Sequence, residues 1–249
     1  MTNDSINPYA PPLSATLSSG LQLPGNGEIM SRAWKLYRQH FGVIVVTLCS
    51  IWGPCEVLSS YMDAFVFSED DFRSSFKFVQ FLENFFGIIA TAGVIHVALH
   101  DGAGGVAAAL GCGIRRWPSV WWARFVSTLL CVLSFLLLVV PFFYLYPRLV
   151  LVESALVSEG LTGMKAIRRS EQLVRGHYWQ VVRLLLWLGL FLAIPVVLVI
   201  GLSTFEVLPD HWLLDAVTSV IVDVATGYGT VCFFCLYQAL ARLEASQTV

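Results

Sequence analysis

The chain has 249 residues, of which 57% are hydrophobic, 13% aromatic and only 13% charged. Soluble domains carry about twice that share of charge, so the composition excludes an ordinary soluble enzyme, and it is too apolar for a disordered chain. A net charge of −2 excludes the strongly basic footprint of a nucleic-acid-binding protein. An integral membrane protein remains.

The N-terminal segment is polar and rich in Pro, Ser, Asn and Gly. It lacks the basic start and apolar core of a secretory signal. We predict a disordered cytoplasmic tail over residues 1–27, a six-helix membrane domain over residues 28–243, and a C-terminal tail over residues 244–249.

A spanning helix needs about 20 largely apolar residues, and five stretches qualify. Arg148 and Glu153 interrupt a sixth, shorter stretch, Phe142–Val157. The predicted spans in chain order are Phe41–Met62, Phe78–Leu99, Val120–Val140, Phe142–Val157, Trp179–Leu202 and Trp212–Leu240.

The distribution of Lys and Arg supports six spans, because cytoplasmic flanks collect these residues. If the clusters beginning at Arg115 and Lys165 are both cytoplasmic, the chain crosses twice between them, so Phe142–Val157 is a span. This arrangement puts every Lys and Arg on the cytoplasmic side except Arg73, Lys77 and Arg148. Both termini are then cytoplasmic.

Each pair of spans follows a segment with helical amphipathicity, which is typical of a helix at the membrane surface. The segments begin near Ile29, Val106 and Leu161, and the second is the weakest. Residues 36–41 also align with residues 173–178, which indicates a repeated unit. The predicted fold is therefore all-α integral membrane: six transmembrane helices as three hairpins, each preceded by a cytoplasmic amphipathic interfacial helix.

Three regions resemble a known family. Met164–Trp179 and Ala33–Tyr37, the latter followed by Phe41-Gly42, are similar to motifs of the six-helix membrane domain attached to some bacterial glycerophosphoryl diester phosphodiesterases, and of related stand-alone bacterial membrane proteins. Pro141 and the segment 148–153 resemble its middle hairpin, although Phe142 replaces the usual Gly. The resemblance implies a bacterial inner-membrane location. The family's diesterase is a separate soluble domain, so we expect no enzyme here.

Ionisable residues inside spans mark functional sites by default. We predict that Arg148 pairs with at least one of Asp223, Glu56 or Glu153, as a structural ion pair or as part of a polar cavity. The predicted intramembrane polar cluster comprises Arg148, Asp223, Glu56, Glu153 and Asp215.

The amphipathic segments and their neighbours also predict a basic surface for the headgroups of anionic phospholipids. Its residues are Arg32, Lys35, Arg38, Arg115, Arg116, Lys165, Arg168, Arg169 and Arg175.

Other motifs give weaker signals. His96 and His100 share a helical face, a spacing that can hold a metal, but no HExxH pattern accompanies them. Cys232 and Cys235 form a C-x-x-C inside an apolar span, where burial in apolar surroundings makes a thiol unreactive. We therefore expect no metal, no cofactor and no redox chemistry.

Two functions remain open. The first is a non-enzymatic multi-pass protein that acts as a scaffold, a partner subunit of another membrane protein or a lipid-organising module. The second is a small transporter or channel that uses Asp223 and Arg148. A polar cavity reaching Asp223 would favour the second.

Overall fold

The computed structural model describes residues 23–66, 72–137, 139–204 and 212–247. Over these residues the chain is all-helical. The helices are α1 (Asn26–Gln39), α2 (Phe41–Phe65), α3 (Phe72–Leu99), α4 (Gly105–Leu137), α5 (Val139–Leu149), α6 (Val152–Glu159), α7 (Met164–Val174), α8 (Tyr178–Thr204) and α9 (Trp212–Gln247).

The ends of the chain fall partly outside this description. Residues 1–22 of the predicted disordered tail lie outside the described residues. Residues 244–247, which we predicted to be tail, continue helix α9. Residues 67–71, between the first two predicted spans, and residues 205–211, between the last two, also lie outside the described residues.

Three helices are long and apolar enough to cross a bilayer. They are α2, α4 and the part of α9 from Ala216 to Ser246. Helices α7 and α8 pass the same test together and are bent by 101° where they meet, which gives up to four candidate spans among the described residues. The chain is therefore helical and has the character of a multi-pass membrane protein, whereas six spans remain a prediction.

Two of the predicted elements differ in the structure. The segment Val106–Trp117 is not a separate interfacial helix, because α4 runs without a break from Gly105 through Pro118 to Leu137. The predicted span Phe142–Val157 is divided into α5 and α6, with residues 150 and 151 between them.

A proline near the end of α5 has a specific consequence. Pro147 has no backbone N–H, so it leaves the carbonyl of Phe143 without its helical donor. The hydroxyl of Tyr178, at the start of α8, donates to that carbonyl at 2.7 Å. An apolar environment requires backbone polar groups to be satisfied within the protein, so this contact ties α8 to α5.

Helices α1 and α7 are amphipathic, as predicted, but their apolar faces pack on protein. In α1 the residues Ile29, Ala33 and Tyr37 are at most 4% exposed. Helix α7 buries a similar face that includes Ile167 and Val174. Helix α9 contacts both helices. Packing within the bundle therefore accounts for their amphipathicity, and a position at the membrane surface remains a prediction.

Two tyrosine hydroxyls fix α1 to α9 in a reciprocal way. Tyr37 on α1 donates to the carbonyl of Val224 on α9 at 2.7 Å. Tyr228 on α9 donates to the carbonyl of Met30 on α1 at 3.0 Å. The two rings also contact each other edge to face, with centroids 5.9 Å apart.

The aligned repeat segments share one structural feature. Phe41 begins α2 and the aligned Tyr178 begins α8, and a histidine, His40 or His177, precedes each of them. The first and third units thus change from one helix to the next at the same register. The continuous α4 lacks this change, so the second unit is built differently.

Candidate functional site

Arg148 lies near the end of α5, and its partner is on α7. Its Nη1 donates to Oε1 of Glu171 at 2.8 Å. It also donates to the hydroxyl of Tyr144, and its guanidinium carbon lies 3.8 Å from the centre of that ring. The hydroxyl of Ser170 donates to the carbonyl of Arg148 at 2.5 Å. These contacts join the end of α5 to the middle of α7.

The predicted partner of Arg148 was therefore wrong. We expected Asp223, Glu56 or Glu153, on the assumption that Phe142–Val157 crosses the membrane as one helix with Arg148 near its middle. The break between α5 and α6 places Arg148 near a helix end instead, within reach of α7.

Glu153 pairs with a residue that the sequence marked only as a topology signal. Arg124 on α4 approaches one oxygen of Glu153 on α6 through Nε at 2.7 Å and through Nη2 at 2.5 Å. The two side chains are 28% and 25% exposed. Charge-assisted hydrogen bonds of this kind are stronger than neutral ones, so the pair fixes α6 against α4. Nothing in the spacing of the sequence pairs these two residues.

Arg169 connects three helices. It contacts Glu159 at the end of α6 at 2.9 Å and Glu244 on α9 at 2.5 Å, and Tyr237 on α9 donates to Glu159. Burial lowers the pKa of Arg169, but its hydrogen bonds to the two carboxylates outweigh this effect and raise it overall. Arg169 therefore has a structural role within the bundle.

The predicted headgroup cations divide into two groups. Three have partners inside the protein: Arg169, Arg116, which donates to the carbonyl of Leu156 at 2.8 Å, and Arg32, which pairs with Glu28 at 2.6 Å. In the described part of the chain no ion pair engages the other six, and all are exposed. We call these six the free cations: Lys35, Arg38, Arg115, Lys165, Arg168 and Arg175.

The remaining acids of the predicted polar cluster lie on α2 and α9, which pack together. Glu56 and Asp223 both lie close enough to the thiol of Cys55 to interact with it electrostatically. The side chain of Asp215 lies outside the described residues. The predicted cluster is therefore divided, because Arg148 and Glu153 have partners on α7 and α4.

His96 and His100 are adjacent, as their spacing predicts. Their ring centroids lie 4.4 Å apart. Among the residues that the structure describes, no group of three His, Cys, Asp or Glu side chains is placed to hold a metal ion.

A groove of about 520 Å³ lies between α4 and the loop that joins α6 to α7. It combines two hydroxyls and an ammonium group with an indole ring and a thioether. The residues that line it are Pro118, Ser119, Trp122, Thr162, Gly163, Met164 and Lys165.

The sequence analysis did not predict this groove, and of the residues that line it only Lys165 was predicted as a site residue, as a headgroup cation. Ser119 and Trp122 are three residues apart, which places them on one face of α4, but the loop that completes the groove comes 40 residues later. Gly160 and Gly163 have φ values of 68° and 41°, a left-handed conformation that favours glycine. These two glycines shape the loop that carries Thr162.

Comparisons with protein-family models, with curated proteins and with solved structures find no match to this chain. The resemblance to the six-helix membrane domain stays a prediction.

Proposed function

We propose that this chain is a non-enzymatic multi-pass protein of the bacterial inner membrane that organises anionic phospholipids at its cytoplasmic face. The observation that carries the proposal is the arrangement of α1 and α7. Both helices bury their apolar faces in the bundle and leave Lys35, Arg38, Lys165, Arg168 and Arg175 exposed on the opposite side.

Electrostatics gives these cations a target. A Lys or Arg near an anionic membrane surface contributes about 1 kcal/mol of binding free energy. Exposed cations that stay out of internal ion pairs keep that contribution available.

Scaffolding of another membrane protein is compatible with the same surface, and we place it within this proposal.

Transport is less well supported. That alternative needs Arg148 beside Asp223, whereas Arg148 pairs with Glu171. The groove is also lined by residues of α4 and of the α6–α7 region, and Asp223 is not among them.

A lipid titration tests the proposal. The purified full chain in a neutral detergent is titrated with phosphatidylglycerol or phosphatidylcholine, and native mass spectrometry counts the bound lipids. Replacing Arg38, Arg168 and Arg175 by Gln removes about 3 kcal/mol of electrostatic attraction. We expect the apparent affinity for phosphatidylglycerol to fall about 100-fold.

The matched control replaces the same three residues by Lys, which keeps the charge. Its binding should stay close to that of the unmodified chain and should weaken with added salt, because salt screens exposed charges. Equal binding of phosphatidylcholine, or unchanged binding by the Gln variant, would contradict the proposal.

A further inference from the structure

We propose that the groove between α4 and the α6–α7 loop is a defined site for one anionic glycerophospholipid. Its phosphate would lie against Lys165, Ser119 and Thr162, and its acyl chains against Trp122. This inference rests on the proposed function, since it assumes an anionic lipid, and it goes further by naming one site distinct from the diffuse attraction of the free cations.

Three polar side chains that line the groove have the donors that a phosphate requires. The ammonium of Lys165 offers three N–H donors, and the hydroxyls of Ser119 and Thr162 offer one each. Arg115 lies four residues before Ser119 on α4, so it is on the same helix face, and it is exposed. A second exposed cation therefore lies about one helical turn from Ser119 on α4.

The neighbouring Arg116 does not compete for this role. Its guanidinium donates to the carbonyl of Leu156 on α6. It therefore links α4 to α6.

The floor of the groove is formed by a close contact. A Cβ atom placed on Gly163 would lie 3.1 Å from the indole Cδ1 of Trp122, so the ring rests against the loop backbone. The positive φ of Gly163 also disfavours any other residue there. The aromatic surface and the hydroxyl-bearing loop are thus held together before any ligand binds, which lowers the entropic cost of binding.

The apolar part of the lining favours a lipid over free phosphate as the ligand. Trp122 is 51% exposed, and its ring stacks on Phe125 at a centroid distance of 5.9 Å. Exposed apolar side chains continue along the same helix, and they are Phe125, Leu129, Leu133 and Leu136. This row extends for about 21 Å from Trp122 at 1.5 Å per residue, which exceeds the depth of one hydrocarbon leaflet, about 15 Å.

Native mass spectrometry of the full chain with phosphatidylglycerol also tests this site. We expect one lipid to bind ahead of all others. Combining Lys165→Gln with Ser119→Ala should weaken that first lipid by about tenfold or more. Arg242→Gln on α9 is the matched control for loss of one exposed charge outside the free cations, and it should leave the first lipid in place.

Ser119→Leu provides an independent variant, because it fills the groove and keeps every charge. It should also abolish the first binding event, and the melting temperature in detergent shows whether each variant is folded. Binding to Ser119→Leu that equals that of the unmodified chain would overturn the proposal.

The other outcomes separate this site from the proposed function. If Lys165→Gln and Arg175→Gln weaken binding equally, the groove is not a site, although the lipid-organising surface stands. If no cation variant changes binding, both proposals fail. Displacement of the first lipid by inorganic phosphate or glycerol 3-phosphate at millimolar concentration would assign the groove to a free phosphate and overturn the lipid assignment.

Discussion

The ion pair between Arg124 and Glu153 allows a quantitative test of how α6 is held. Both Nε and Nη2 of the arginine contact one carboxylate oxygen, at 2.7 Å and 2.5 Å. The perturbation is Arg124→Gln, which removes the counter-charge that the structure gives to Glu153. The carboxylate would then stay about three-quarters buried, where a charge is poorly solvated.

The expected cost lies between two known limits. Breaking a fully buried pair from one side costs about 3–5 kcal/mol, whereas exposed pairs contribute about 0.2–1 kcal/mol. Because both side chains keep about a quarter of their exposure, we expect Arg124→Gln to lower the free energy of unfolding by about 2 kcal/mol.

A double-mutant cycle isolates the pair itself. Arg124→Gln, Glu153→Gln and the double variant are unfolded in mixed micelles with increasing fractions of a denaturing detergent. The coupling energy should be about 1–2 kcal/mol. The matched control is the cycle for Arg32 and Glu28, a pair at 2.6 Å whose side chains are 55% and 54% exposed. That pair should couple by only about 0.3–0.5 kcal/mol.

The comparison of the two coupling energies tests whether partial burial strengthens the ion pair between Arg124 and Glu153. A coupling energy for Arg124 and Glu153 no larger than that of the exposed pair would refute the argument that partial burial strengthens this contact. The same cycle repeated at high salt adds a check, because screening should reduce the exposed pair more than the partly buried one.

Three further predictions concern the stability of the bundle in detergent. Tyr178→Phe should lower the free energy of unfolding by about 1–2 kcal/mol. The loss should be much smaller in a Pro147→Ala background, because alanine restores the backbone N–H that can bond to the carbonyl of Phe143. Equal losses in both backgrounds would contradict the role given to the hydroxyl. Gly113→Ala should lower the free energy of unfolding by about 1–3 kcal/mol, because its Cβ would lie 2.5 Å from a carbonyl oxygen of α3. Gly111→Ala is the control: its Cβ meets open space, so the melting temperature should stay unchanged or rise. Arg148→Leu should lower stability by about 1 kcal/mol, and an unchanged melting temperature would exclude a structural role.

Local patterns in the sequence predicted the helices well. Hydropathy placed the starts of two spans at Phe41 and Trp212, where α2 and α9 begin. Helical periodicity also identified an amphipathic segment beginning near Ile29, and the face that Ile29, Ala33 and Tyr37 form there is buried. These properties depend on residues three or four positions apart, which a single sequence contains.

The surroundings of those faces could not be predicted in the same way. The periodicity of α1 is the same whether lipid or protein covers its apolar side. The structure covers Ile29, Ala33 and Tyr37 with protein, and it leaves Trp34 on the same helix 51% exposed. Amphipathicity shows that a helix has an apolar and a polar face, but it does not show whether lipid or protein covers the apolar face.

Partners distant in the sequence were the least predictable part of the site. Arg148 finds Glu171 23 residues further along the chain, and only the break between α5 and α6 brings them together. We predicted the partner of Arg148 among acidic residues expected at a similar depth in the membrane. The partner is set by the path of the backbone, which neither charge nor hydropathy encodes.

The reciprocal hydrogen bonds between α1 and α9 have a consequence for biosynthesis. The two bonds join residues 187 and 198 positions apart, so α1 leaves the ribosome long before its binding surface on α9 exists. Until α9 has been translated, the apolar face of α1 lacks the cover that α9 provides. The packing of α1 is therefore completed only late in synthesis.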